Sequence, residues 1–317
     1  MKETRMTRRV LCGFVLLLVF TLVGNAAAQQ TCTLPPPGLV SWWPGNGNAN
    51  DIADSNNGTL QNGATFVPGQ VSQAFSFDGV DDFVRVANSP ALEPSTITVD
   101  AWVKSTAPGT FRYILSKGAS GCLASSYALY TGDSGGLFFY VFNGIDFPTL
   151  SPDAGIGIWD GNWHHVAGTF DGSTVRLYVD GSEVGTGTTP VPSISIAYGL
   201  SPTNDLFLGR FNGTCPPELS FLSFRGDVDE VEIYNRALSA TEIRAIFNAG
   251  SAGKCINCVP APSGLSAGGL GTEMPLTSSM PIMARRRETR HLRRDWLDKR
   301  SALMVMATSS VFLTALR

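Results

Sequence analysis

An antiparallel β-sandwich or barrel with one helix packed outside it is the fold this chain predicts, and three observations carry the prediction. Ile97–Lys104 alternates, with Ile97, Val99, Ala101 and Val103 on one face and Thr98, Asp100, Trp102 and Lys104 on the other, which is the period of a half-buried strand. Asp171-Gly172 and Asp180-Gly181 separate apolar runs, and Asp-Gly suits a two-residue hairpin because both central residues of a type I′ turn take positive φ. Between Leu39 and Tyr234 no stretch has a helical period, and many short strands without intervening helices build sandwiches or barrels.

In chain order, strands are expected at residues 39–43, 74–77, 83–86, 97–104, 113–117, 127–130 and 137–142. Residues 163–186 read as a meander of three strands joined at the two Asp-Gly dipeptides, and further strands are expected at 206–209 and 228–234. Each run is rich in β-branched and aromatic residues and is bounded by turn formers. The one good helix follows. Ser239-Ala240-Thr241-Glu242 fits a capping box, in which the Ser hydroxyl and the Glu carboxylate each satisfy an otherwise unpaired backbone N–H. Ile243, Ile246 and Phe247 make its apolar stripe, and Gly250 is placed to stop it.

Composition sets outer limits. With 317 residues, 43% hydrophobic and 15% charged, the chain is neither disordered, nor collagen-like, nor a multi-pass membrane protein. Its net charge of −3 hides an uneven distribution: residues 29–264 hold 10 Lys and Arg against 21 Asp and Glu, a net of −11, while both ends are basic. Lys2, Arg5, Arg8 and Arg9, the apolar run of residues 10–23 and the small residues 26–28 follow the order of a secretory signal over residues 1–28. That run is too short to hold a bilayer span, and Cys32 follows Gln30 and Thr31 rather than a lipid-attachment sequence. A secreted, extracellular protein is expected, without stable membrane insertion, and in that compartment its cysteines form disulfides.

Five ordered motifs now resemble a known family: Gly38-Leu-Val-Ser-Trp-Trp-Pro-Gly45, Phe77-Asp-Gly-Val-Asp-Asp-Phe-Val84, Trp163-His-His-Val-Ala-Gly-Thr-Phe-Asp-Gly172, Val175-Arg-Leu-Tyr-Val-Asp-Gly181 and Val228-Asp-Glu-Val-Glu-Ile-Tyr-Asn-Arg-Ala-Leu238. Together they look like a laminin-G-like domain of the concanavalin-A-like lectin/glucanase superfamily. The resemblance implies an all-β, antiparallel jelly-roll β-sandwich with the short C-terminal α-helix packed outside. It also implies a structural calcium ion in many members, and binding of carbohydrate or protein.

The domain is expected over residues 29–257, and the remaining segment, 258–317, reads as the start of a second repeat. Cys258-Val-Pro-Ala-Pro-Ser-Gly-Leu265 resembles Cys32-Thr-Leu-Pro-Pro-Pro-Gly-Leu39 at an offset of 226. Codons available to residues 268–275 regroup by one base to Trp-Trp-Pro-Gly-Asp-Gly-Asn-Ala, which is residues 42–49 with one change at Asn46. Residues 303–310 regroup to Phe-Asp-Gly-Asp-Gly-Asn-Phe-Val, matching residues 77–84 at the same offset. A single-base deletion near Leu265 would produce this, leaving the segment frameshifted and unstructured. Its basic run at residues 285–300 then carries no nucleic-acid reading.

Removing Cys258 with the second repeat leaves Cys32, Cys122, Cys215 and Cys255, for which three pairings are open. Cys122 with Cys215, both in loop-rich stretches, and Cys32 with Cys255, at domain ends that tend to lie close, are the favoured pairs. Acidic clusters offer the hard oxygen ligands that Ca²⁺ selects, with Asp51, Asp78 and Asp229 the first candidates for a structural site. Phe147 and Trp159, in turn-rich surroundings, are the candidate ligand-binding aromatics, since exposed rings stack on pyranose faces.

Residues 227–232, Asp-Val-Asp-Glu-Val-Glu, are the most enzyme-like string, because alternate strand carboxylates share a face as the acid and nucleophile of a glycanase do. The jelly-roll glucanase pattern begins with Glu where Asp227 stands, and the laminin-G-like motif already accounts for Asp229-Glu230. His164 and His165 are adjacent on a strand, face opposite ways and read as structural. No Gly-rich phosphate loop or Gly-x-Ser-x-Gly elbow occurs. The expectation is a secreted non-catalytic binding or adhesion module for carbohydrate or extracellular protein. A secreted glycoside hydrolase of the jelly-roll glucanase type and a structural spacer repeat are the alternatives.

Overall fold

The computed structural model describes residues 31–122, 124–145, 147–213 and 222–255. The signal expected at 1–28 and the repeat expected from 258 onward lie outside the described residues.

Among the described residues fifteen strands form two antiparallel sheets. The first sheet contains β1 (Leu39–Trp43), β3 (Thr65–Pro68), β4 (Gln73–Asp78), β6 (Ile97–Lys104), β11 (His164–Phe170), β12 (Val175–Val179), β13 (Ser182–Glu183) and β15 (Arg225–Tyr234). Its order is β13-β12-β11-β6-β15-β4-β3, with β1 beside the second half of β15. The second contains β2 (Gly58–Gln61), β5 (Phe83–Val86), β7 (Tyr113–Ala119), β8 (Ser125–Thr131), β9 (Leu137–Val141), β10 (Thr149–Leu150) and β14 (Leu206–Leu208), in the order β10-β9-β8-β7-β14-β5-β2. This is the jelly-roll sandwich.

The facing sides of the two sheets supply the core. Ile97, Val99, Ala101 and Val103 of β6 all join it, as the alternation requires, together with Phe75, Phe77, Phe139, Val166, Phe170, Leu206 and Val228. Thr98, Asp100 and Trp102, expected on an open face, are buried as well, because this outer face is itself covered. The cover is α1 (Ala240–Ala249): Ile243 and Ile246 pack with Ala167, Tyr178 and Tyr234, and the Phe247 ring lies 5.9 Å from that of Trp102.

The capping box forms as expected. Ser239 Oγ accepts from Glu242 N at 3.3 Å, and Glu242 Oε2 accepts from Ser239 N at 2.8 Å. Arg236 Nη2 sits 2.6 Å from Glu242 Oε1, and this contact is the chief cause that holds the Glu242 carboxyl down at about 2.

Of the two Asp-Gly hairpins only one has the expected form. Asp180 and Gly181, at φ 50° and 72°, make the two-residue turn between β12 and β13. Asp171 does not take positive φ; its Oδ1 instead accepts from Ser173 N and Thr174 N, organising a longer loop from β11 to β12. The two ends of the domain lie close as expected: Cys32 and Cys255 form a disulfide with 5.1 Å between their Cα atoms, and Thr33 pairs with Lys254 beside it. Cys122 is disulfide-bonded; Cys215, its expected partner, lies outside the described residues.

Candidate functional site

β6 and β15 run side by side through the middle of the first sheet, and their outward side chains divide into a covered half and an open end. In the covered half, β15 bulges at Glu230, whose φ of 52° interrupts the register between Asp229 and Glu232. The bulge puts Glu230 and Glu232 on the same outer face. Trp42 Nε1 donates to Glu230 Oε2 at 3.1 Å, and Tyr234 OH donates to Glu232 Oε2. Lys254 Nζ lies 2.7 Å from Glu232 Oε1, 3.6 Å from Glu230 Oε2 and 5.3 Å from the Trp42 ring centre. Asp100, cross-strand to Glu232, approaches His165 Nε2 at 3.6 Å.

Asp229 is sealed separately: its Oδ2 accepts from Val71 N at 2.8 Å, beneath the loop that joins β3 to β4. Burial pushes the Asp229 carboxyl up to about 8 and raises that of Glu230 as well, against the pull of Lys254. Asp229, Glu230 and Glu232 are each at most 2% exposed. A glycanase pair must reach both the glycosidic oxygen and a water or the anomeric carbon, and these carboxylates face a lysine, an indole and backbone instead.

The open end is different. Where β6 runs out and β15 begins, a cleft of about 260 Å³ is lined by residues 104–107, residues 225–227 and Gly161. Lys104 and Asp227 are cross-strand partners, and Arg225 precedes Asp227 by two residues on the same face, opposite Asp78 of β4. Ser105 Oγ donates to Arg225 O at 2.8 Å and Gly161 N donates to Ser105 O at 3.0 Å, so backbone bonds fix the walls. Gly226, at φ 153°, lets the strands approach: a Cβ there would lie 2.5 Å from Lys104 O. Lys104 Nζ stands 5.8 Å from the centre of the half-buried Trp163 ring. Among the described residues Lys104, Arg225 and Asp227 form no ion pair, although Asp227 stands cross-strand from Lys104 and Asp78 from Arg225 on the same face.

The residues singled out from sequence are distributed otherwise. Trp159 is not a surface platform: it is 8% exposed, its Nε1 donates to Gly135 O at 2.8 Å, and its ring packs against Phe224 in the main core. The short 3₁₀ turn Ile156–Ile158 directs it inward. Phe147 is 86% exposed, on the loop between β9 and β10 and away from the cleft lining.

Asp51, Asp78 and Asp229 lie on three separate elements. Asp51 Oδ1 accepts from the backbone N–H of Trp42, Ala53 and Asp54, and its Oδ2 from that of Asn56, so its oxygens organise the loop after β1. The carboxylates that do converge, within 4.8 Å, are Asp78, Asp81 and Asp82, and Asp82 already accepts from Gly63 N and Asp78 N. Those three are the residues that could hold a hard cation. His164 bonds Asp180 at 2.8 Å and Asp160 at 3.2 Å; although burial opposes it, these partners raise its pKa.

Sequence reasoning missed the cleft. Lys104 and Arg225 are more than a hundred residues apart, and the only local signal was the register that an alternating β6 would impose on its neighbour.

Residues 78–244 match the family model described as the concanavalin A-like lectin/glucanases superfamily. Among solved structures, the binding domain of Paraclostridial Mosquitocidal Protein 1 is similar at a TM-score of 0.53 and 14% identity, over 67% of this chain and 52% of that one. Trypanosoma rangeli sialidase in complex with sialic acid is similar at 0.50 and 21% identity, over 68% of this chain and 33% of that one. The botulinum neurotoxin serotype G binding domain is similar at 0.50 and 12% identity, over 66% and 50%. This chain therefore spans about half or less of each, and the likeness is one of fold. No curated protein matches the chain.

Proposed function

Because this chain belongs to the laminin-G-like family of the concanavalin A-like lectin/glucanase superfamily, we propose that it is a secreted, non-catalytic module that binds carbohydrate through the cleft at the end of β6 and β15. One observation carries the reading: of the charged groups on the outer face of the first sheet, those under α1 and Lys254 are partnered or sealed, whereas Lys104, Arg225 and Asp227 open on a cleft and form no ion pair among the described residues. Groups left with unspent hydrogen-bonding capacity at a concave surface are what ligand recognition uses. The buried carboxylates of residues 229–232 leave β15 without an accessible acid and nucleophile, which favours binding over hydrolysis.

A glycan array and a reducing-sugar assay on the full chain test this together. The expected result is saccharide retention that falls at least about tenfold in Asp227→Ala, with no sugar released. Sugar release that disappears in Glu232→Gln makes the protein a hydrolase. Empty arrays and empty pull-downs make it a spacer, and retention indifferent to cleft substitutions moves the site elsewhere. Repeating the measurements in chelator tests the structural calcium: loss of the ion is expected to lower the unfolding temperature and leave cleft binding unchanged.

A further inference from the structure

We propose that the domain cross-links itself: the Lys117 amine attacks the side-chain amide of Asn88, with Glu93 as the base, leaving a Lys117–Asn88 isopeptide bond and free ammonia. This activity is separate from saccharide binding and goes beyond it.

Lys117 stands where the fold calls for an apolar side chain. On β7 it lies opposite Leu206 of β14 and Tyr127 of β8, and facing partners in a ladder project to the same side, so it points between the sheets with these two core residues. Its side chain is 0% exposed. A buried lysine is ordinarily tied closely to a carboxylate. Here Glu93 Oε1 stands 3.3 Å from Nζ, whereas Asn88 Oδ1 accepts from Nζ at 2.6 Å and the Asn204 carbonyl accepts as well.

Amine, amide and base are held in reach of one another. Adding a C=O bond of about 1.23 Å to the 2.6 Å contact puts Asn88 Cγ within about 3.8 Å of Nζ, near the roughly 3–3.5 Å of atoms poised to react. Asp205 fixes Asn88 by accepting from its backbone N–H at 3.0 Å, and is itself held by Arg85 Nε at 2.7 Å. Glu93 follows the 3₁₀ turn Pro90–Leu92, which Tyr127 OH ties down through Leu92 O at 3.0 Å, and Asn204 Nδ2 donates to Glu93 Oε1. Burial lowers the pKa of Lys117 against the pull of Glu93 and Asp205, which enlarges the neutral, nucleophilic fraction of the amine.

The step balances without a co-reactant. Neutral Nζ forms a C–N bond to Asn88 Cγ; one amine proton passes to the Glu93 carboxylate and from there to the amide nitrogen, whose bond to Cγ breaks as ammonia departs. Glu93 ends as it began. The interior keeps water from the amine, and Glu93, with 24% of its side chain exposed, stands at the rim from which ammonia escapes. The product ties the segment after β5 to β7 across the intervening β14, a link that reductant cannot open as it can Cys32–Cys255.

Intact-mass and tryptic-peptide analysis of the full chain, reduced and denatured, tests this. The expected product is lighter by one ammonia than the sequence from its observed N-terminus requires. It resists trypsin after Lys117 and yields the peptide beginning at Val86 joined to that beginning at Tyr113. Lys117→Met and Asn88→Ala are expected to restore the full mass. Glu93→Gln keeps the size of the side chain but cannot take the proton, and is expected to slow linkage about a hundredfold or more while circular dichroism shows the fold retained. The map of the unsubstituted chain decides even where a variant fails to fold. A full-mass chain cleaved after Lys117 overturns the proposal. So does linkage on Asn204, loss of water in place of ammonia, which marks Glu93 as the acceptor, or ammonia loss confined to a cyclic imide at an Asn-Gly pair. Undiminished linkage in Glu93→Gln overturns the role of that carboxylate.

Discussion

The same two strands, β6 and β15, end in two different kinds of charge. Under α1, Asp100, Glu230 and Glu232 share a sealed space with Lys254, His165, Trp42 and Tyr234. At the other end Lys104, Arg225 and Asp227 face a cleft and bond no counter-ion among the described residues. Strand alternation treats both sets alike, placing them on one outer face. What separates them is cover supplied from elsewhere: the helix, the Trp42 indole of β1, and the Lys254 segment held by the Cys32–Cys255 bridge. A buried charge is tied to its partner because stranding it is expensive, whereas an exposed one is worth little to stability and is free to recognise something else.

Breaking the covered half has the largest expected effect. Lys254→Met strands Glu230 and Glu232 without a cation, and loss of one partner from a buried ion network costs about 3–5 kcal/mol. Urea unfolding of the full chain measures this, and adding Glu230→Gln and Glu232→Gln to Lys254→Met is expected to recover part of the loss. A single variant weakened by less than about 1 kcal/mol means that the covered half is not locked by its ions.

The pH profile sharpens the same contrast. Burial keeps Asp229 protonated in the fold up to about 8, against an ordinary value of 3.8. The folded state therefore binds a proton that the unfolded chain releases across the window from about 4 to 8, so stability is full below that window and is lost as pH rises through it. His164, whose pKa is raised by Asp180 and Asp160 against its burial, adds to the loss above 6.5. Glu242, held at about 2 chiefly by Arg236, acts in the opposite sense: its contribution is present above its ordinary 4.5 and is lost as pH falls through 2. Stability is expected to peak on the acid side of neutrality, and Asp229→Asn to flatten the fall between 4 and 8. A decline of unchanged slope in that variant assigns it to other groups.

Regular local signals made much of the fold legible. The period of two in Ile97–Lys104, the paired positive φ at Asp180-Gly181 and the Ser239–Glu242 box are each complete within a few residues, and each forms. Gly58–Gln61, Thr65–Pro68 and Thr149–Leu150 gave no comparable signal, because two to four residues containing Gly or Pro, or only two positions, show no period.

The site was less legible for a related reason. Trp159 lies among glycines and reads as exposed, yet the turn before it buries the ring. The acidic clusters look like ligand sets, yet Asp51 spends its oxygens on backbone N–H groups of its own loop and on Trp42 N. Lys104 and Arg225 become neighbours only through the β6–β15 register, which no local pattern states.

At the helix end, the capping box isolates one component of the cover. Ser239→Ala removes the side-chain acceptor for Glu242 N while leaving the apolar stripe intact, so a loss of about 1 kcal/mol in urea unfolding is expected. A loss several times larger indicates that α1 detaches from Tyr178 and Tyr234 as a unit and uncovers the buried ions with it.

The smallest effect on stability belongs to the open end. Asp227→Asn and Lys104→Met change residues that form no ion pair among the described residues, and surface substitutions of that kind alter unfolding free energy by less than about 0.5 kcal/mol. The amide keeps the shape of Asp227 but loses its charge and replaces one of the two acceptor oxygens with an NH₂ donor, so saccharide affinity is expected to fall although the fold does not weaken. The two readouts must separate here, as they cannot for Lys254, where any loss of binding would follow from loss of structure. If Asp227→Asn destabilises as much as Lys254→Met, the charges of the open end belong to the fold as those of the covered half do, and the distinction between the two ends of β6 and β15 disappears.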